Sequence, residues 1–256
     1  MIFETHAHYE DRAFDDDRED LLNSLSKNNI EYVVNVSSAI ETVKQSIDLA
    51  ESYEYIYASV GIHPQETKSM DEDKLLWLKE MAKHKKVVAI GEIGLDYYWD
   101  TTDPKTQKLW FEKQMDMAKD LAKPLVIHSR DAANDTFNMI KDAKVEDIGG
   151  VMHCFGYGVE QARRYLNMGF YLGIGGVVTF TNGRKLKEVV SYAPIDQLVV
   201  ETDCPYLSPV PYRGKRNSSL YLPYILKEIA TIKDMDYDTV VKITNENAKN
   251  LYFKSL

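Results

Sequence analysis

Two histidines stand one residue apart in the stretch ETHAHY, residues 4–9. On a β-strand, residues at positions i and i+2 point to the same face, so the imidazoles of His6 and His8 can reach one point in space. Two such imidazoles can begin a transition-metal site, because histidine is the commonest ligand of these ions. A catalytic ion takes three protein ligands or more, so other parts of the chain must supply the rest.

Four more residues of metal-binding type follow apolar segments that have the character of buried β-strands. These are Glu92 in KVVAIGEIGLD, His128 in KPLVIHSRD, His153 in GGVMHCFG and Asp203 in DQLVVETDCP. Each is followed by a turn rich in glycine, proline or polar residues. We predict that the ends of five strands bring six ligands to one metal site: His6, His8, Glu92, His128, His153 and Asp203.

Six ligands are more than a single catalytic ion uses, and they suit two divalent cations roughly 3.5–4 Å apart. Glu92 is the natural bridging ligand, because its strand lies between the strand of His6 and His8 and those of His128 and His153. We predict that Glu92 and Asp203 are the catalytic carboxylates. Mixed imidazole and carboxylate ligands admit zinc, manganese, nickel or magnesium. Such ions would activate a water molecule and offset charge on a phosphoryl group, so no serine or cysteine nucleophile is needed.

Other residues near the expected site could contact substrate. His63 ends the third apolar segment, where a structural hydrogen bond is the alternative role. The guanidinium of Arg130 follows His128 at a spacing of two and suits a phosphate. The densest basic run follows Asp203, where a solvated loop is the alternative. We predict that the substrate-binding residues are His63, Arg130, Arg213, Lys215 and Arg216.

Three aromatic residues and two cysteines lie near the predicted ligands in the sequence. Tyr97, Tyr98 and Trp99 follow Glu92 and could either stack on nucleobases or pack within their loop. Cys154 and Cys204 each adjoin a ligand. Neighbouring strand residues face opposite ways, so we expect both thiols to point away from the site.

The elements that must position these residues alternate along the whole chain. Eight short apolar segments, each followed by an amphipathic segment, run from residue 1 to residue 234, and one further helix is predicted at 236–253. Near-continuous apolar strands indicate parallel strands buried on both faces. We therefore predict an α/β protein, a (β/α)8 TIM barrel forming a single domain over residues 1–256. A doubly wound open sheet is the alternative.

Composition excludes several classes of protein. The 256 residues carry a formal net charge of −9, which argues against a general nucleic-acid coat protein but not against local phosphate binding. No apolar run approaches the ~20 residues that span a bilayer, so no membrane association is expected. The first residues lack the pattern of a secretory signal, and the two cysteines have no disulfide or zinc-finger spacing. We expect a cytoplasmic protein.

Several motifs together resemble a known family. FETHAHY, VGIHP, GEIGLDYYWD, IHSRDA, MHCFGYG and ETDCPYLSPVPYRGKRN occur in that order along nearly the whole chain. They resemble the TatD family of metal-dependent deoxyribonucleases, within the amidohydrolase superfamily. The resemblance implies a TIM barrel that hydrolyses phosphodiester bonds of DNA, often as a 3′–5′ exonuclease. It further implies one ion at Glu92, His6, His8 and Asp203, and a second at Glu92, His128 and His153.

The sequence departs from the family pattern at two places, and other functions compete. The family usually has aspartate at the position of Glu4, and Glu-Pro where Ser218 and Ser219 stand. A metal-dependent amide or ester hydrolase, such as an aminoacyl-tRNA deacylase, fits the same barrel. The basic loop favours a substrate with phosphate but does not separate DNA from tRNA. A metal-dependent binding module is less well supported, because structural metal sites are closed.

Overall fold

Eight parallel strands alternate with helices in the computed structural model, which describes residues 1–253. The strands are β1 Ile2–Ala7, β2 Ile30–Val36, β3 Ile56–Val60, β4 Val87–Asp96, β5 Leu125–Arg130, β6 Gly150–Met152, β7 Tyr171–Ile174 and β8 Leu198–Val200. Each coincides with an apolar segment of the sequence. The last three strands are the shortest, with three or four residues each.

A helix follows every strand. The helices are α1 Arg18–Leu25, α2 Ile40–Ser52, α3 Glu72–Met81, α4 Pro104–Leu121, α5 Ala133–Ala143, α6 Val159–Leu166, α7 Arg184–Tyr192, α8 Leu222–Lys233 and α9 Tyr237–Tyr252. Local chemistry sets several of their starts. The carboxylate of Asp71 accepts the N–H of Lys74, and Asp103 caps α4, whose first residue is Pro104.

The sheet closes into a barrel. Its strand order is β1-β2-β3-β4-β5-β6-β7-β8, with every neighbouring pair parallel. A bridge between Ala7 and Cys204 joins the two ends, and the N–H of Asp203 donates to the carbonyl of His6 at 3.0 Å. The (β/α)8 prediction is confirmed. The doubly wound alternative is wrong, because the strand order never reverses.

The interior of the barrel is filled with side chains at the end away from the ligands. Phe3, Val34, Val126 and Val199 come from β1, β2, β5 and β8, and they form one buried cluster although β5 lies across the barrel from β1. They meet across the barrel, and Tyr252 of α9 belongs to the same cluster. The barrel is therefore a packed core with one accessible end. Among residues 1–253, no helix is both long and apolar enough to cross a lipid bilayer.

Candidate metal centre

The six predicted ligands come from five strands and converge. His6 and His128 lie within β1 and β5, while His8, His153 and Asp203 come one to three residues after their strands end. Glu92 differs from the prediction, because β4 continues beyond it to Asp96. Ile90 pairs with Leu125 and Ile93 with Ile127, so three residues of β4 are matched by two of β5. This irregularity lies beside Glu92 and lets a residue within the strand reach the centre.

Glu92 lies in the middle of the cluster and faces histidines with both oxygens. Its Oε1 is 2.8 Å from Nδ1 of His128 and 2.9 Å from Nε2 of His153. Its Oε2 is 3.6 Å from Nε2 of His6 and 3.9 Å from Nε2 of His8. The side chain is almost fully buried. The structure therefore divides the histidines into two sets, one at each carboxylate oxygen.

Asp203 completes the set around His6 and His8. Its Oδ1 is 3.3 Å from Nε2 of His8 and 3.7 Å from Nε2 of His6. The ligand atoms of these three residues lie within 4.8 Å of one another, as do those of His63, Glu92 and His128. Nitrogen and carboxylate donors at this spacing fit a divalent cation.

The ionisation of the cluster also favours bound positive charge. Burial alone would raise the pKa of Glu92, but the surrounding imidazoles, His153 first, hold this pKa well below its usual range. Burial would likewise raise the pKa of Asp203, which its hydrogen bond with His8 lowers. Burial would lower the pKa of His153, but Glu92 and Glu201 raise it well above its usual range. A site that stabilises protons on histidine in this way is one that attracts cations.

His6 and His63 behave differently from the other imidazoles. Burial lowers the pKa of His6, and burial lowers that of His63 to about 4. Both rings are therefore neutral near pH 7, the form in which imidazole binds a metal. Nδ1 of His63 accepts the N–H of Gln65 at 3.2 Å, while Nε2 lies 3.8 Å from Glu92.

Three carboxylates that the sequence analysis did not select lie close to the ring nitrogens that face away from Glu92. Asp96 lies 3.0 Å from Nε2 of His128, Glu201 lies 3.6 Å from Nδ1 of His153, and Glu10 lies 3.6 Å from Nδ1 of His8. Such partners orient a ligand and fix which ring nitrogen carries the proton. Asp96 and Glu201 stand in the motifs GEIGLD and ETDCPYL, so their position beside predicted ligands was the available signal.

Glu4 and Ser219, at which the sequence departs from the family pattern, are hydrogen-bonded to each other. Oε2 of Glu4 accepts hydrogen bonds from the hydroxyls of Ser219 at 2.9 Å and Thr202 at 2.7 Å. Its Oε1 accepts the N–H groups of His6 and Thr202. Burial raises the pKa of Glu4 to about 8. Glu4 thus ties β1 to the loop after β8 behind the ligands, and Ser219 supplies a bond that proline could not.

A cavity of about 820 Å³ opens above the ligands. His63 and Arg130 line it, so the structure brings these two predicted substrate contacts to the cluster. The guanidinium of Arg130 also lies 3.7 Å from the ring centre of Tyr98. The Tyr97 hydroxyl donates to Asp135, so this ring is part of the loop packing.

The three basic residues of the β8–α8 loop are placed elsewhere. Arg216 donates to both carboxylate oxygens of Asp17, at 2.7 and 2.5 Å. The guanidinium of Arg213 lies over the ring of Phe180. In the part of the chain that the structure describes, neither these two nor Lys215 lines the cavity. Their contact with substrate stays a prediction that this placement does not support.

Cys154, but not Cys204, departs from the expectation that both thiols point away from the site. Cys204 is buried, and burial raises its pKa to about 12. Cys154 lines the cavity, because its backbone φ of +45° departs from the extended alternation on which the expectation rested. Burial, together with Asp203 and Glu201, raises the pKa of this thiol well above its usual range. Cys154 is therefore protonated at neutral pH and is a poor nucleophile.

Comparison with known proteins agrees with this geometry. The family described as "TatD related DNase" matches residues 3–253. A metal-dependent hydrolase of Bacillus subtilis, YabD, is 43% identical and covers 98% of this chain and 99% of its own. A protein of Cronobacter sakazakii described as a 3′-5′ ssDNA/RNA exonuclease, TatD, is 31% identical over 94% of each chain.

A solved structure extends the agreement to three dimensions. The crystal structure of YjjV, a TatD homologue from Escherichia coli K12, superimposes with a TM-score of 0.93, covers 98% of each chain and is 25% identical. The chain therefore belongs to the TatD-related DNase family and, like its relatives, is a metal-dependent hydrolase.

Proposed function

We propose that this protein hydrolyses phosphodiester bonds of DNA at a centre of two divalent cations bridged by Glu92. The observation that carries the proposal is the division of the histidines between the two oxygens of one carboxylate. Oε1 faces His128 and His153, and Oε2 faces His6 and His8. A carboxylate between two nitrogen sets is the arrangement expected of a bridging ligand in two-metal hydrolases.

In this assignment Glu92, His6, His8 and Asp203 would hold one cation, and Glu92, His128 and His153 would hold the other. Zinc, manganese, nickel and magnesium are all compatible with these donors. When bound, such a pair of cations supplies Lewis acidity toward a phosphate and acidifies water.

The remaining steps belong to residues of the chain. Asp203 is the least buried of the ligand carboxylates, with 16% of its side chain exposed, so it can take the proton of an attacking water from the cavity side. His63 and Arg130 line the cavity and would hold the phosphate through charge and hydrogen bonds.

The shape of the barrel supports cleavage at the end of a DNA strand. Side chains from β1, β2, β5 and β8 fill it below the ligands, so a polynucleotide cannot pass through. A terminus entering the cavity needs no bend in the backbone, which favours an exonuclease. We assign the 3′–5′ direction by analogy with the Cronobacter relative, which is described as such an exonuclease.

The metal requirement is tested with end-labelled single- and double-stranded DNA, RNA and aminoacyl-tRNA. Protein stripped by a chelator, and shown by elemental analysis to be metal-free, should lose activity. Addition of a divalent cation should restore it. Shortening of labelled DNA from its 3′ end supports the proposal, and undiminished activity of the stripped protein refutes it.

A matched pair of variants tests the bridge. Glu92→Gln keeps the size of the side chain but removes the charge shared between two cations, so we expect activity to fall by several orders of magnitude and metal content to fall with it. His84→Gln is the control, because His84 lies outside the cavity and pairs with Glu51 at 3.0 Å. Similar activity and metal content in the two variants would remove Glu92 from the centre.

One observation favours a second candidate, an ester or amide hydrolase such as an aminoacyl-tRNA deacylase. Across residues 1–253, Arg130 is the one lysine or arginine lining the cavity, whereas Glu10, Asp11, Glu66 and Asp131 line it too. This balance suits a substrate with few phosphates near the reacting bond. Release of amino acid from charged tRNA at a higher kcat/KM than nucleotide release from DNA would favour this candidate.

A further inference from the structure

Two exposed aromatic rings flank the metal centre on opposite sides of the cavity. Trp99 stands in the loop between β4 and α4, and Tyr206 stands in the loop between β8 and α8. In a closed barrel of eight consecutive strands, β4 and β8 are directly opposite each other. Both residues line the cavity, yet 54% of Trp99 and 55% of Tyr206 remain exposed.

The loops that carry these rings are fixed to the centre itself. Asp96, the partner of His128, accepts the N–H of Trp99 at 3.3 Å. The carbonyl of Trp99 accepts from the side chain of Gln65. The main chain that carries the Trp99 ring is therefore fixed relative to the ligands.

Tyr206 is held by its backbone and by its hydroxyl. Its N–H donates to the carbonyl of Asp203 at 2.9 Å, and its carbonyl accepts from Asn217 at 2.7 Å. Its hydroxyl donates to Asp11 at 3.1 Å. These bonds hold the ring at the rim while leaving much of its surface open to a ligand.

The charge of the cavity favours such rings as a further source of affinity for a nucleic-acid substrate. Arg130 is one cation among several carboxylates, and its guanidinium already lies against Tyr98. Beyond the metal centre, phosphate neutralisation, the usual source of affinity for nucleic acids, is therefore weak along the cavity. Stacking of bases on aromatic rings is the other general source, and it tolerates every base.

We propose that Trp99 and Tyr206 are nucleobase-stacking subsites on the two sides of the scissile phosphate. The ligand class is a single-stranded nucleotide end, since two successive bases must separate from each other to stack on rings at opposite sides of the cavity, and a duplex resists that separation. This inference rests on the proposed phosphodiesterase function, and it adds the residues that select an unpaired end.

Binding to metal-loaded protein tests the subsites without relying on turnover. The probe is a short single-stranded oligonucleotide with phosphorothioate linkages, which resist hydrolysis, and with 2-aminopurine in its last two positions. Quenching of 2-aminopurine fluorescence reports stacking and gives a Kd. An otherwise identical oligonucleotide, abasic at those positions, is measured by competition.

Stacking of one base is worth about 1–3 kcal/mol, or about 5- to 150-fold in affinity. We expect Trp99→Ala and Tyr206→Ala each to raise the Kd of the base-bearing probe by about 10-fold and to leave the abasic Kd unchanged. Trp99→Phe and Tyr206→Phe should recover most of the affinity. Trp77→Ala is the control, because Trp77 on α3 is 37% exposed but does not line the cavity.

The outcomes separate this inference from the proposed function. Equal losses for base-bearing and abasic probes, or no loss in either alanine variant, would overturn the subsites even if the enzyme cleaves DNA. Base-dependent binding in a protein that cleaves no phosphodiester would keep the subsites and refute the proposed function.

Discussion

Replacing Asp96 with asparagine should weaken metal binding by changing which nitrogen of His128 carries the proton. Oδ2 of Asp96 lies 3.0 Å from Nε2 of His128, while Oδ1 accepts the N–H groups of Tyr98 and Trp99. In Asp96→Asn the amide oxygen keeps the two backbone bonds, so the NH2 group faces His128. Two donors cannot pair, and Nε2 of His128 must become the acceptor.

The tautomer change reaches the ligand atom directly. Nδ1 of His128, which lies 2.8 Å from Oε1 of Glu92, then carries the proton and cannot bind a cation in that form. Loss of such an outer partner typically costs 10- to 100-fold in metal affinity, or about 1.4–2.8 kcal/mol. Because the amide also disfavours the correct tautomer, we expect a value near 100-fold.

Competition with a chromophoric chelator measures the affinity, and nitrogen chemical shifts from NMR report the His128 tautomer. The matched control is Asp120→Asn, since Asp120 lies on the surface of α4 and pairs with Lys79 at 2.6 Å. An unchanged metal affinity in Asp96→Asn, with the variant folded, would refute the proposed role of the hydrogen bond.

Three further predictions concern stability. Gly94→Ala should destabilise the protein by at least about 3 kcal/mol in chemical denaturation, because φ is +142° and the new methyl group would overlap a main-chain oxygen of β5. Ser219→Ala removes one hydroxyl donor from buried Glu4 and should cost about 1–2 kcal/mol, whereas an unchanged midpoint would show that the remaining donors suffice. The hydrogen bond from Arg216 lowers the pKa of Asp17, so its contribution is present above the ordinary value of 3.8 and is lost as pH falls through the lowered pKa. Asp17→Asn should therefore lower the free energy of unfolding by at most about 1 kcal/mol at pH 7, a difference that should vanish in acid.

The barrel, and the convergence of the six candidate ligands at one end of it, could be predicted because both rest on local patterns. Apolar segments of strand length alternate with amphipathic ones, and parallel strands in a barrel present their carboxyl ends together. A ligand that follows an apolar run, such as His153 or Asp203, is placed by this rule alone. Glu92 reached the same centre from within its strand, through an irregularity in pairing with β5 that periodicity does not reveal.

The supporting carboxylates and the long loop after β8 depend on contacts distant in sequence. Glu201 approaches His153 from just after β8, 48 positions along the chain, so its place in the motif ETDCPYL sets it near the centre but does not reveal its partner. Arg216 pairs with Asp17, 199 positions away, rather than with the cavity. The direction of such a side chain is decided by partners that folding brings from elsewhere, so a basic run in the sequence does not locate a phosphate site.

The closure of β1 against β8 makes the set of ligands around His6 and His8 a product of barrel closure. Asp203 comes 195 positions after His8 in the sequence. The contact between them needs the backbone bond from Asp203 to His6, while α9 packs on β1 through the bond from Tyr252 to Thr5. A chain in which β8 has not yet paired with β1 carries His6 and His8 without Asp203 beside them. The full set of candidate ligands is therefore assembled only when the barrel closes, and a partly folded chain lacks it.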